Sequence, residues 1–328
     1  MLRLQRFSRL RRWVVGALVG ASPAIVGWPA AACDSSSCAL VTRGHTGLVP
    51  KKALRVDFSV RHTSEDSKLR GSEEVASVLR PKIDFRAGQI LPGVHQELRG
   101  DQTFVQVDVA YGLGVRTTLL ASLPLLAARN YRIAHLGFEA DYGTGGIGDV
   151  AFGVRQAVGP RLVAGFSVKL PLGRYRDGVD YDGGILDPTL QPGSGAFDLI
   201  PSLQCGGRVA ALRVDWSLTG FYQRTTANDL GYRFGDQAVA AATLSRGVYR
   251  AFAASLQIKY SWNGRGEYRS EGVASTGTTF AYLNPGLSLG LPGRAAVFGY
   301  VQLPVYRHVN EMQLAPRVAF LLGVSKTF

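Results

Sequence analysis

The 328-residue chain carries 37 basic and 24 acidic residues, a formal charge of +13, and 46% of it is hydrophobic. The charges are scattered singly rather than in blocks, which argues against nucleic-acid binding. Beyond the first 32 residues no stretch of 18 apolar residues occurs, which excludes a helical membrane span there. Forty glycines with 13 Tyr and 15 Phe, against two Met, favour many short strands joined by tight turns.

In chain order, the first segment reads as an export signal. Arg3, Arg6, Arg9, Arg11 and Arg12 give a basic start, Trp13 to Trp28 an apolar core broken by Pro23, and Ala30-Ala31-Ala32 a small-residue cleavage site. Residues 1–32 are therefore predicted to be absent from the mature protein, and losing those five arginines takes the formal charge from +13 to +8. Residues 33–52 read as a short periplasmic N-terminal segment. In it Cys33 and Cys38 bracket a Ser-rich loop and could close a disulfide in an oxidising compartment; the alternative is lipid modification of Cys33, for which Ala30 is a poor match. Only His45 lies near these cysteines, so no metal site is expected.

From residue 53 to 328 the chain alternates with period two in about twelve segments of roughly ten residues, as tilted membrane strands do. Leu162, Ala164, Phe166, Val168 and Leu170 share one face, and Arg161, Gly165, Ser167 and Lys169 the other. The same holds for Leu212, Val214, Trp216 and Leu218 against Arg213, Asp215, Ser217 and Thr219. Ala254, Leu256, Ile258, Tyr260 and Trp262 likewise oppose Ser255, Gln257, Lys259 and Ser261. A soluble sheet would alternate too. The joints decide: tight turns at Gly112-Leu113-Gly114, Gly159-Pro160, Gly206-Gly207, Ser245-Arg246-Gly247 and Pro292-Gly293 separate longer connections such as Thr63–Gly100, Pro124–Ile147 and Leu172–Ser194. Short periplasmic turns and long extracellular loops mark bacterial outer-membrane barrels. The predicted fold is all-β: a transmembrane, antiparallel, up-and-down barrel of about twelve strands in the outer membrane of a Gram-negative bacterium.

Two features refine this. Counting back from Phe328, Val324, Leu322, Phe320 and Val318 alternate with small or polar residues, so the chain ends on an aromatic in the pattern read by the barrel-assembly machinery. The same parity turns Asp57, Arg61, Asp108, Arg116, Asp149, Arg155, Lys169, Asp198, Arg213, Asp215, Lys259 and Arg317 toward the lumen. Such charges either pair across strands as a polar core or line a channel; in a narrow barrel pairing is the main expectation.

Three stretches carry a resemblance: Gly146-Ile-Gly-Asp149, Lys169-Leu-Pro-Leu-Gly173 and Gln191-Pro-Gly-Ser-Gly-Ala-Phe-Asp198. In that order, strongest over about residues 141–204, they resemble the outer-membrane family named for meta-pathway phenol degradation, itself similar to long-chain fatty-acid and aromatic-hydrocarbon transporters. The resemblance implies passive uptake of small hydrophobic or aromatic compounds. The hydrocarbon transporters proper have about fourteen strands and an N-terminal plug, whereas the segment before Leu54 is short here. No cofactor is implied, and the partners expected are outer-membrane lipid, lipopolysaccharide and a small-molecule solute.

Two rival functions follow from the residues. An outer-membrane lipid hydrolase needs a Ser activated by a His; none of His45, His62, His95, His135 and His308 stands in a His-x-Ser pattern on a membrane strand. A structural or adhesive barrel without transport is the other. Asp177, Asp180, Asp182 and Asp187 could hold Ca²⁺ in a flexible loop, but their spacing matches no defined calcium loop.

Overall fold

The structure is a computed structural model that describes residues 48–178 and 183–328. The expected leader, Cys33, Cys38, Asp180 and Asp182 lie outside the described residues. The barrel strands are β1 (Leu54–Gly71), β2 (Gln89–Gly112), β3 (Thr117–His135), β4 (Val150–Ala157), β5 (Leu162–Leu170) and β6 (Asp198–Val209). They continue as β7 (Val214–Thr225), β8 (Gln237–Tyr249), β9 (Phe252–Asn263) and β10 (Thr278–Leu291). The last element, Ala295–Thr327, pairs antiparallel with β10 through 295–309 and antiparallel with β1 through 312–327. It is thus a hairpin, reversing beside Glu311 at φ 50°, and its arms are β11 (295–309) and β12 (312–327). Eleven continuous elements close the ring, but an all-antiparallel ring must contain an even number of strands, and the hairpin makes it twelve.

The parity of the sequence is realised in space. Phe58, Phe152, Phe166, Leu218, Ile258, Tyr260, Leu322 and Val324 face outward and are exposed to the position of lipid. Their neighbours Asp57, Ala151, Ser167, Ser217, Gln257, Lys259, Leu321 and Ser325 are buried inside. Strands β1 to β3 are 18, 24 and 19 residues long rather than the ten expected. Their outer ends carry Asp66, Arg99 and Asp101, which no longer read as lipid-facing, because above the membrane both faces of a strand can meet water. These extensions recruit three further strands, Glu73–Glu74 on β1, Val78–Asp84 on β2 and Phe138–Gly146 on β3.

At the opposite end, residues 48–53, just before β1, fold into the mouth of the barrel. Val49 is buried with Ala53 and Ala110 against Leu120, and its amide donates to Thr118 Oγ1 at 2.9 Å.

Candidate functional site

The charges assigned to the lumen fall into three groups. Asp57, Arg61, Asp149, Arg155, Lys169, Asp198 and Lys259 are buried on the inner wall. Arg55 bridges Asp57 at 3.3 Å, Ser325 donates to the same carboxylate, and Arg61 and Lys259 stack over Phe104 and Tyr282 at 4.7 and 4.5 Å. Asp108, which accepts from Gln106 at 2.9 Å, and Asp215, 3.7 Å from Arg208, are half-buried. Arg116, Arg213 and Arg317 are corrections: all three are exposed. Arg116 lies in the turn before β3, and Arg213 is a left-handed residue (φ 52°) closing a short 3-10 turn. A register shift of β1 against β12 near Arg317 throws its side chain outward onto Asp66 at 3.2 Å. Period-two parity fails wherever the chain stops stepping by two.

The three resembling stretches meet at one point. Asp149 accepts from the amides of Gly173 (3.0 Å) and Ser194 (2.8 Å) and from Ser194 Oγ (2.7 Å). Lys169 Nζ reaches Asp198 at 2.5 Å, Ser194 Oγ at 2.7 Å and Asp149 at 3.3 Å, and Gln223 donates to Asp198 at 2.6 Å. Backbones touch here: a Cβ on Gly193 would lie 2.5 Å from the carbonyl carbon of Gly173. That closeness requires glycine, and it brings the chain around Gly173 and around Gly193 together at the barrel mouth. Asp177 and Asp187, considered for Ca²⁺, are occupied otherwise: Asp177 pairs with Arg174 at 2.7 Å, and Asp187 caps the 3-10 turn Pro188–Leu190.

Deeper in the lumen, side chains fill the space. Tyr282, Lys259, Gln257, Asn284 and Gln302 are each no more than 1% exposed. Gln257 donates to Thr243 Oγ1 at 2.9 Å, and Asn284 donates to Gln257 Oε1 at 2.8 Å.

Above this packed zone lies a vestibule of about 260 Å³, walled by Glu65, Arg80, Glu97, Arg129, Tyr131, Tyr232, Phe234 and Phe280 among others. A smaller cavity of about 30 Å³ shares the Arg80–Glu97–Tyr131 wall. Glu65 accepts from Gln102 at 2.8 Å and from the Tyr131 hydroxyl. Arg80 donates to Glu97 at 3.0 Å. Arg129 donates to the carbonyl of Thr189 at 2.8 Å. Burial is the largest influence on Arg80 and opposes its charge, but Glu97 together with Asp187, Tyr131 and Tyr232 outweighs it and raises the guanidinium pKa. Burial and the neighbouring Glu65 carboxylate hold the Tyr131 hydroxyl protonated well above its ordinary range. Sequence reasoning missed this site because Glu65, Arg80 and Glu97 fall in the stretch taken as a loop. The signal was present: the inward series Arg61, Thr63, Glu65 continues the parity of β1.

Among the described residues, the histidines lie apart from this cavity or merely border it. His62 meets Thr103 Oγ1 at 2.9 Å, and His308 meets Ser72 Oγ at 3.1 Å, both pairs exposed on the outer surface. His95 lines only the smaller cavity.

No family model matches the chain, and no curated protein matches it. Among solved structures it is similar to an outer membrane channel from Pseudomonas putida, with a TM-score of 0.60 and 13% identity over 85% of this chain and 97% of that one. It also matches the toluene transporter TodX of P. putida (TM-score 0.44, 9% identity, 85% of this chain and 91% of that one). The translocator domain of the autotransporter NalP from Neisseria meningitidis matches comparably (TM-score 0.42, 11% identity, 85% and 90%). A closed antiparallel ring with an apolar outer face, a polar inner face and the architecture of a bacterial outer membrane channel makes this chain an outer-membrane β-barrel.

Proposed function

We propose that the barrel is a channel for passive uptake of small hydrophobic or aromatic compounds across the outer membrane. The observation that carries the proposal is the vestibule: a cavity at the extracellular end, walled mostly by polar and charged side chains with the rings of Tyr131, Tyr232, Phe234 and Phe280 among them. Its volume suits one substituted ring rather than a long acyl chain. The packed zone beneath it supports a narrow, guided route over a wide water-filled pore.

The test compares cells with and without the folded barrel for initial uptake of labelled 4-methylphenol, alongside conductance in planar bilayers. The expected result is several-fold faster uptake with the barrel and no large, steady ionic conductance. Equal uptake would leave a structural barrel held together by its inner ion pairs. A large steady conductance would make the protein a porin instead.

A further inference from the structure

Cations that stand singly along the sequence are gathered at one end of the barrel. Five turns close that end, residues 113–116, 158–161, 210–213, 250–251 and 292–294, and each contains one arginine: Arg116, Arg161, Arg213, Arg250 and Arg294. All five are exposed, as is Lys52 at the foot of β1. Backbone bonds tie these segments into one rim. Lys52 donates to the carbonyl of Gly112 at 2.7 Å, Ala157 to that of Arg116 at 2.8 Å, Gly206 to that of Arg161 at 3.2 Å and Thr327 to that of Arg294 at 3.0 Å. Among the described residues no carboxylate pairs with any of the five arginines. Asp215, half-buried beside Arg208, is the only acid in the turns or within two residues of them. The opposite rim is built differently: there Arg132, Arg265 and Arg307 are matched by Asp141, Glu311 and Glu74.

Backbone and neighbours narrow what this rim meets. Arg213, Arg250 and Arg294 hold left-handed backbone, φ 52°, 46° and 58°, which glycine adopts at less cost, so the turns themselves do not call for arginine. Exposed apolar residues sit between the cations: Val115 is 79% exposed, Val158 55%, Leu212 61% and Val248 68%. A soluble polyanion would leave them in water. The boundary between phospholipid headgroups and acyl chains takes both kinds of side chain.

We propose that this rim binds anionic phospholipid of the periplasmic leaflet, each turn arginine meeting a phosphodiester while the apolar side chain beside it enters the first acyl carbons. Short turns face the periplasm in bacterial barrels, which sets the leaflet. A guanidinium offers phosphate two parallel N–H donors, and its aliphatic stem can lie along apolar surface to reach it. A zwitterionic headgroup brings its own cation to the phosphate; an anionic one leaves the phosphate to arginine. Screening confines attraction between exposed charges to about 8 Å at physiological salt, so the lipids selected are those touching the rim. The site stands apart from the transport reading, since lipid contact is measurable on a barrel that conducts nothing.

Two tryptophans serve as reporters: Trp216 stands beside the 210–213 turn, and Trp262 at the far end of β9. The full barrel, purified from outer membranes, is reconstituted in phosphatidylcholine with increasing phosphatidylglycerol, one or the other lipid being brominated on its acyl chains. Trp262→Phe leaves Trp216 as the barrel's emitter, and Trp216→Phe leaves Trp262. Quenching at Trp216 should show a preference for phosphatidylglycerol of about threefold to tenfold, with none at Trp262. Arg213→Gly, Arg250→Gly and Arg294→Gly together should bring that preference below about twofold, and because each relieves left-handed backbone the variant should still migrate as a folded, heat-modifiable barrel. Lysine at the same three positions keeps the charge and should keep more of the preference than glycine does. Equal quenching by the two lipids at Trp216, an equal preference at Trp262, or a preference unchanged in the folded glycine variant overturns the proposal. So does a barrel in pure phosphatidylcholine that binds dextran sulfate through the same arginines while showing no lipid preference, which would make the rim a site for a soluble polyanion. Should the glycine variant fail to fold, the comparison of Trp216 with Trp262 still decides.

Discussion

Lys169 is the residue on which most of the mouth depends. Its side chain is 4% exposed between two carboxylates that are each 1% exposed. Removing it leaves two buried negative charges facing each other, the situation in which breaking an ion pair is costly. Lys169→Met should therefore lower stability by about 3–5 kcal/mol in urea unfolding of the barrel refolded into lipid vesicles. Adding Asp149→Asn should recover part of the loss, since coupled sites do not add. The exposed pair Arg132–Asp141, at 2.9 Å but with side chains 53% and 68% exposed, is the control: Arg132→Ala should change stability by no more than about 0.5 kcal/mol. Parity alone placed Lys169 inside. That Ser194 and the amide of Gly173 return to the same point could not be read from it, because the return is made by irregular chain held by glycine contacts.

Among the strands, the repeat of two was enough to find the barrel wall and its lipid face, and it erred at identifiable places. Arg116, Arg213 and Arg317 each sit where a turn, a left-handed residue or a register shift resets the count. The upper reaches of β1, β2 and β3 were lost for a different reason: out of the membrane, their outer face is polar and the contrast that reveals a strand disappears. Depth along a strand can be tested directly. Ile258 is 59% exposed in the middle of β9, whereas Trp216 is the third residue of β7, next to the periplasmic turn. Ile258→Arg should cost about 2–4 kcal/mol and Trp216→Arg no more than about 1 kcal/mol, measured by the same lipid-vesicle unfolding. Equal costs at both positions would mean that the apolar belt is set at another height.

The molecule as a whole is closed by its two ends. Leu54 N donates to the carbonyl of Phe328, and Phe328 N donates back to Leu54 at 2.8 Å, completing the β1–β12 seam. The terminal ring is itself 65% exposed, so its contribution to packing is small. Deleting Phe328 should nevertheless leave most of the protein unfolded in the periplasm, as seen by loss of the heat-modifiable band with synthesis unchanged, because the deletion removes both the seam bonds and the terminal aromatic of the expected assembly signal. Near-normal amounts of folded barrel would show that neither matters.

That seam also governs time. The partners of the closing bonds are almost the full barrel sequence apart, so the loop that must be brought together is nearly the longest the chain can offer, and no earlier fragment can imitate it. Every other ladder around the ring joins consecutive barrel strands, and hairpins of that kind can form as soon as their second strand arrives. The ring has no such early option. Until β12 is in place, β1 presents a bare edge, a long hydrogen-bonding template with an apolar side, to whatever is dissolved around it. A barrel whose first strand pairs with its last must wait as an open sheet until β12 arrives, and in that interval the bare edge of another copy can pair with its own.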